Sequence, residues 1–125
     1  MPITWGINGR VIEVTFSDPY TREESESMMK DIFGEPGLTY PLRFLVDVRH
    51  STPPDIEFVG NAIMFWQLHV DKMWGAKVAI VTGTEGQASM AQVSALTARS
   101  RELPFTLREF DQSELVQAQQ WLRIA

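Results

Sequence analysis

Asp47, His50, Asp55 and His69 are the residues of this chain best suited to acid–base or metal chemistry, and they include both of its histidines. An imidazole beside a carboxylate can move a proton near neutral pH, and with further ligands it can hold zinc. Asp47 near the end of a predicted strand and His50 in the connection after it could approach each other at the carboxyl end of the sheet, the edge where open α/β folds place ligands. His69 cannot join them, because on one continuous helix it lies roughly 24 Å along the axis from Pro53. One histidine and two aspartates make a thin zinc site, and no nucleophile stands beside a base in a recognisable motif. The chain therefore reads as a non-enzyme, with no metal and no cofactor.

Ser51 and Thr52 offer a different chemistry. A phosphate on either would sit at a helix start, where free amides and the helix dipole favour an anion. The bland alternative is capping, since Thr52 followed by Pro53 matches an N-cap with proline at the first helical position. Asp47, His50, Ser51 and Thr52 together form the candidate phospho-switch or anion loop. Gly83-Thr84-Glu85-Gly86 also joins a strand to a helix, but it lacks the Lys-Ser/Thr pair of a phosphate loop and reads as a plain turn.

The elements that must position these residues follow from periodicity and punctuation. Ile3 to Ile7 and Arg10 to Phe16, separated by Asn8-Gly9, predict an antiparallel hairpin. Thr21-Arg22-Glu23-Glu24 is a capping box opening a helix that turns Met28, Met29, Ile32 and Phe33 inward. Arg43 to Val48 and Lys77 to Thr82 are short apolar runs typical of interior parallel strands. A helix from about Gln87 to Arg101, a half-exposed strand from Thr106 to Phe110 and a final helix through Leu115, Ala118 and Leu122, capped by Asp111 or Ser113, complete the chain. The order predicts an α/β domain with a mixed, mostly parallel five-stranded sheet, an N-terminal hairpin and about four helices.

Pro53 to Trp74 reads as one long helix with surplus apolar surface. Phe58, Val59, Ala62, Ile63, Trp66, Val70 and Met73 form a core-facing stripe, while Met64, Phe65 and Leu68 fall outside it. In the following helix Ala88, Ala91, Ala95 and Ala98 form a small-residue stripe, and Met90, Val93 and Leu96 point elsewhere. Phe58, Ala62, Met64, Phe65, Leu68, Met90, Val93 and Leu96 are therefore the candidate ligand- or partner-binding residues. They would line a groove between the second and third helices, open to a lipid-like amphiphile, a membrane surface or a second copy of the chain. A closed state with the helices covering each other would exchange with an open one exposing Met64, Phe65, Leu68, Met90 and Val93.

Composition narrows the classes. At 125 residues with no cysteine, the chain fits one domain without disulfides and suits a reducing cytoplasm. Eleven Lys and Arg against 16 acids give a net charge of −5, which argues against nucleic acid as a partner. No stretch approaches the roughly 20 apolar residues of a membrane span. The expected location is cytoplasmic, with peripheral contact at the inner membrane face open to it.

The element order, with Phe44-Leu45-Val46-Asp47-Val48, then Lys77-Val78-Ala79-Ile80-Val81-Thr82, then Arg108-Glu109-Phe110-Asp111 before Ala118, Trp121 and Leu122, resembles the STAS superfamily and within it the SpoIIAA-like proteins. The resemblance implies that fold, and it implies protein–protein signalling of the kind in which an anti-sigma-factor antagonist is controlled by a phosphorylated serine in an Asp-Ser-Ser-Gly motif. Here the matching stretch is His50-Ser51-Thr52-Pro53-Pro54-Asp55, without that motif. The SpoIIAA-like branch is linked by resemblance to membrane association and hydrophobic ligands. A protein partner docking at Ser51 and Thr52 is the alternative to the apolar groove.

Overall fold

The computed structural model describes residues 2–124. A hairpin of β1 (Ile3–Asn8) and β2 (Val11–Ser17) is followed by α1 (Arg22–Phe33), β3 (Arg43–His50), α2 (Ile56–Leu68), the single turn α3 (Val70–Met73), β4 (Lys77–Thr82), α4 (Glu85–Ser100), β5 (Thr106–Asp111), a 3-10 turn (Gln112–Glu114) and α5 (Leu115–Arg123). The sheet order is β1-β2-β3-β4-β5, antiparallel only between β1 and β2. Strands added one after another in a single direction by right-handed crossovers must carry their helices on one face. Accordingly α1, α2 and α4 share a core with Ile12, Val14, Phe44, Val78 and Leu107. Helix α5 covers the other face through Ala118 and Leu122, against Leu45, Ala79, Val81 and Phe110.

Local chemistry explains most boundaries. Gly9 has φ +63° and occupies the first corner of a two-residue Gly9-Arg10 turn, because Asn8 pairs with Val11. The turn thus sits one residue later than Asn8-Gly9, and a positive φ at the first corner is what this hairpin class requires. The Thr21 hydroxyl accepts from the Glu24 amide while the Glu24 carboxylate accepts from the Thr21 amide, the reciprocal box expected. Asp111 and Glu114 make a second such box at the 3-10 turn.

The Pro53 to Trp74 helix is corrected in three respects. It begins at Ile56, and its cap is Asp55, whose Oδ1 accepts from the Phe58 amide at 2.7 Å. Thr52 does not cap it. It also breaks at His69, giving two helices and five in all among the described residues. The His69 ring stacks on Phe33 of α1 at 5.4 Å and packs against Phe65 at 4.5 Å, with Nδ1 2.9 Å from the Phe65 carbonyl oxygen. Since a carbonyl only accepts, the proton of the neutral ring sits on Nδ1. Finally, Phe65 is buried, at 9% exposure, in the core shared with α1.

Candidate functional site

Between the sheet and the helices α1, α2 and α4 lies an apolar cavity of about 130 Å³. Val14, Phe16, Phe44, Val46, Val78, Ile80 and Leu107 form its floor. These are alternate residues of adjacent strands, so the pleat places them all on one face. The walls come from Met28 and Met29 of α1, Phe58, Val59, Ala62, Ile63, Phe65 and Trp66 of α2, and Met90, Ala91 and Ser94 of α4. Of the eight groove candidates, Phe58, Ala62, Phe65 and Met90 line this interior space. Met64 and Leu68 stand outside it on α2, 55% and 76% exposed, and Val93 and Leu96 are exposed on α4. The eight do not form one surface. No opening motion is needed to expose Met64, Leu68 or Val93.

Tyr20, Pro53, Pro54 and Phe58 line both the cavity and a shallow surface depression bounded by Asp18, Pro19, Thr52 and Asp55. They form the mouth. The loops after β2 and β3 supply Tyr20, Pro53 and Pro54 and the first turn of α2 supplies Phe58, which places the opening at the carboxyl end of parallel strands. The Tyr20 ring meets Phe16 and Phe58 edge to face at 5.3 and 5.4 Å, and its hydroxyl donates to the Thr52 carbonyl at 2.9 Å. Burial raises the Tyr20 phenol above its ordinary pKa, with the nearby charges of Asp18 and Asp55 pushing the same way.

The β3–α2 loop is fixed from two sides. Asp18 accepts from the Thr52 hydroxyl at 2.7 Å and from the Thr52 amide at 2.9 and 3.0 Å. From the opposite side Gln87, only 5% exposed, donates through Nε2 to the carbonyls of Arg49 and Ser51, and its Oε1 accepts from the Gly83 amide. Thr84-Glu85-Gly86-Gln87 has capping-box spacing, and the Thr84 hydroxyl does accept from the Gln87 amide. The returning side chain, however, goes to Gly83 and across to the neighbouring loop. Gly86 stands where a Cβ would come within 3.1 Å of Pro53 Cγ, so the two loops lie close. The Gly83–Gly86 segment is a strand-to-helix turn locked to its neighbour.

The candidate anion loop is arranged for structure. Ser51 is 7% exposed and its hydroxyl donates to the Val48 carbonyl. The Thr52 hydroxyl faces a carboxylate, so a phosphate there would meet Asp18 as a like charge. Asp47 is paired with Arg49, accepting at 2.9 Å from both its amide and Nη2 and at 3.0 Å from Nε. Burial pulls the Asp47 carboxyl upward, but those bonds and the Arg49 charge outweigh it and hold its pKa below the ordinary value. His50 is exposed at the end of β3 beside Ser17. Among the described residues no group of three or more His, Asp or Glu could hold a metal ion.

Asp18 supplies a pH test of the mouth. The Thr52 hydroxyl, and then the Thr52 amide, hold its carboxyl below the ordinary 3.8. A carboxyl whose folded pKa is depressed contributes above its unfolded pKa, and the contribution is lost as pH falls through the folded value. The Thr52 amide resonance should therefore titrate with a midpoint below 3.8, and Thr52→Val should move the Asp18 midpoint upward. A midpoint unmoved by Thr52→Val would show that the contact does not set it.

Among the described residues no helix is long and apolar enough to cross a membrane. No curated protein and no solved structure is matched by the chain. A family model for SpoIIAA-like proteins matches residues 11–123, from the first residue of β2 through the last of α5. With that match spanning nearly the whole α/β unit, the chain belongs to the SpoIIAA-like family.

Proposed function

We propose that this protein is a binding module that takes a small apolar molecule into the cavity between the sheet and helices α1, α2 and α4. SpoIIAA-like domains are in general non-enzymatic binding modules, which supports the reading. The single observation that carries the reading is the cavity itself. Protein interiors are close-packed, and an apolar cavity of about 130 Å³ that opens to the surface is room for the apolar body of a ligand. Apolar cavities of similar size stay dry and take up benzene-sized guests.

The test is titration with benzene and with 1-hexanol, followed by amide NMR. Shifts should concentrate at Val59, Ile63, Met90 and Ala91 and saturate at millimolar probe. An absence of saturable shifts at these positions for both probes would sink the proposal. Met64 and Leu68 on α2, with Val93 and Leu96 on α4, support a second reading, self-association through the outer faces of the two helices. Native mass spectrometry of gently purified protein serves both readings, since it reports a retained small molecule and a dimer in one spectrum.

A further inference from the structure

We propose that the occupant of the cavity is a small amphiphilic amine, whose apolar body lies against the sheet while its protonated head stays at the mouth between Asp18, Asp55 and the Tyr20 ring. The proposal rests on the cavity-binding reading above and adds the charge of the ligand to it. The mouth is where polar groups meet the apolar interior, so it decides what head group can follow the body inward. Its rim carries Asp18 and Asp55. Of Asp55 only Oδ1 serves the α2 cap among the described residues, which leaves the second oxygen for a donor. Glu26 lines the cavity wall on α1, and Glu23, Glu26 and Glu57 all act on Arg22.

Arg22 offsets one of these charges, since its Nε is paired with Glu26 at 2.9 Å, and leaves those of the rim. Asp18 and Asp55 on the rim thus have no cationic partner among the described residues, while Glu26 on the wall is paired with Arg22. Tyr20 registers the same field, since Asp18 and Asp55 both oppose loss of its proton. The Phe16, Tyr20 and Phe58 rings add π faces, which attract a cation through their quadrupole. A carboxylate head, as in a fatty acid, would bring one more negative charge to this rim. An ammonium donates to the carboxylates and lies over the rings, so charge and chemistry agree on the amine.

The experiment compares hexylamine, 1-hexanol and hexanoate at neutral pH by calorimetry and amide NMR. Hexylamine should bind at least tenfold more tightly than 1-hexanol, with hexanoate weakest. The preference should shrink as salt rises, because the rim is solvent-exposed. In the Asp18→Asn, Asp55→Asn double variant the amine-to-alcohol ratio should fall to near one. Asparagine is as good an N-cap as aspartate, so α2 keeps its start, and a thermal melt checks that the variant is folded. Equal affinity for amine and alcohol, or tighter binding of hexanoate, would overturn the amine while leaving the cavity reading intact. If none of the three binds, the cavity reading itself fails.

Discussion

Ala91→Phe is expected to abolish uptake of benzene and 1-hexanol while leaving the protein at least as stable as the parent. Ala91 is buried on α4 and lines the cavity together with Val59, Ile63, Val78 and Leu107. A phenylalanine ring has the size of the benzene guest that cavities of this volume accept, so the new side chain would occupy the space as a tethered ligand. Affinity for the probes should fall by about 100-fold or more. Filling the void should recover part of the packing lost to it, and an unfolding free energy raised by about 1–2 kcal/mol is the expected result. Urea unfolding and NMR titration on one sample measure both. Overpacking can cost 1–3 kcal/mol in a tight core, so Ser94→Leu, a smaller addition to the same wall, is the companion variant. Unchanged benzene affinity in both variants would show that probes bind elsewhere.

Gln87→Leu should be the most destabilising single change outside the apolar core. The Gln87 side chain satisfies the Gly83 amide and the Arg49 and Ser51 carbonyls, one backbone group before its own helix and two at the end of β3 and the loop after it. Leucine can replace the volume but none of the bonds. Each buried polar group left unpaired costs about 1–3 kcal/mol, and water should reach some of them as the loops part. A loss of about 3 kcal/mol is expected, which for a domain of this size is a fall in Tm of about 10 °C. Hydrogen exchange at Ser51 and Thr52 should accelerate with it. A Tm within 2 °C of the parent would show that the loops hold each other without Gln87.

Features set by neighbouring residues were legible in the sequence, and features set across the fold were not. The Thr21–Glu24 box, the hairpin and the two interior strands depend on side chains a few positions apart, and all appear, the hairpin with its turn shifted by one residue. Thr52 carries the right residue type for a cap, but Asp18, 34 positions earlier, takes its hydroxyl, and Asp55 does the capping. The apolar period runs through His69 without a break. At the break the imidazole stacks on Phe33 of another helix, a contact that the spacing within its own segment does not encode.

Phe65 lay off the core stripe when its own helix was considered alone, and it is buried in the core shared with α1 and the sheet. Gln87 did carry a signal, since a glutamine three residues after Thr84 predicts a side chain turned back on the helix start. Its second pair of partners, on the β3–α2 loop, is a property of the tertiary contact. The cavity has no sequence signature at all. Its lining is made of ordinary core residues, and a void is only the difference between their summed volume and the space the backbone encloses.

The sheet order has a consequence for how the protein comes together. Each strand lies beside its neighbour in the chain, so every pairing closes over a single intervening segment, and none must wait for a distant strand to arrive. The helices α1, α2 and α4 cover one face as that growth proceeds. The opposite face, with Leu45, Ala79, Val81 and Phe110, is covered by α5, which follows the fifth strand in the chain. Until α5 docks, a finished sheet carries one bare greasy side, the kind of transient surface through which nascent chains find each other instead of themselves.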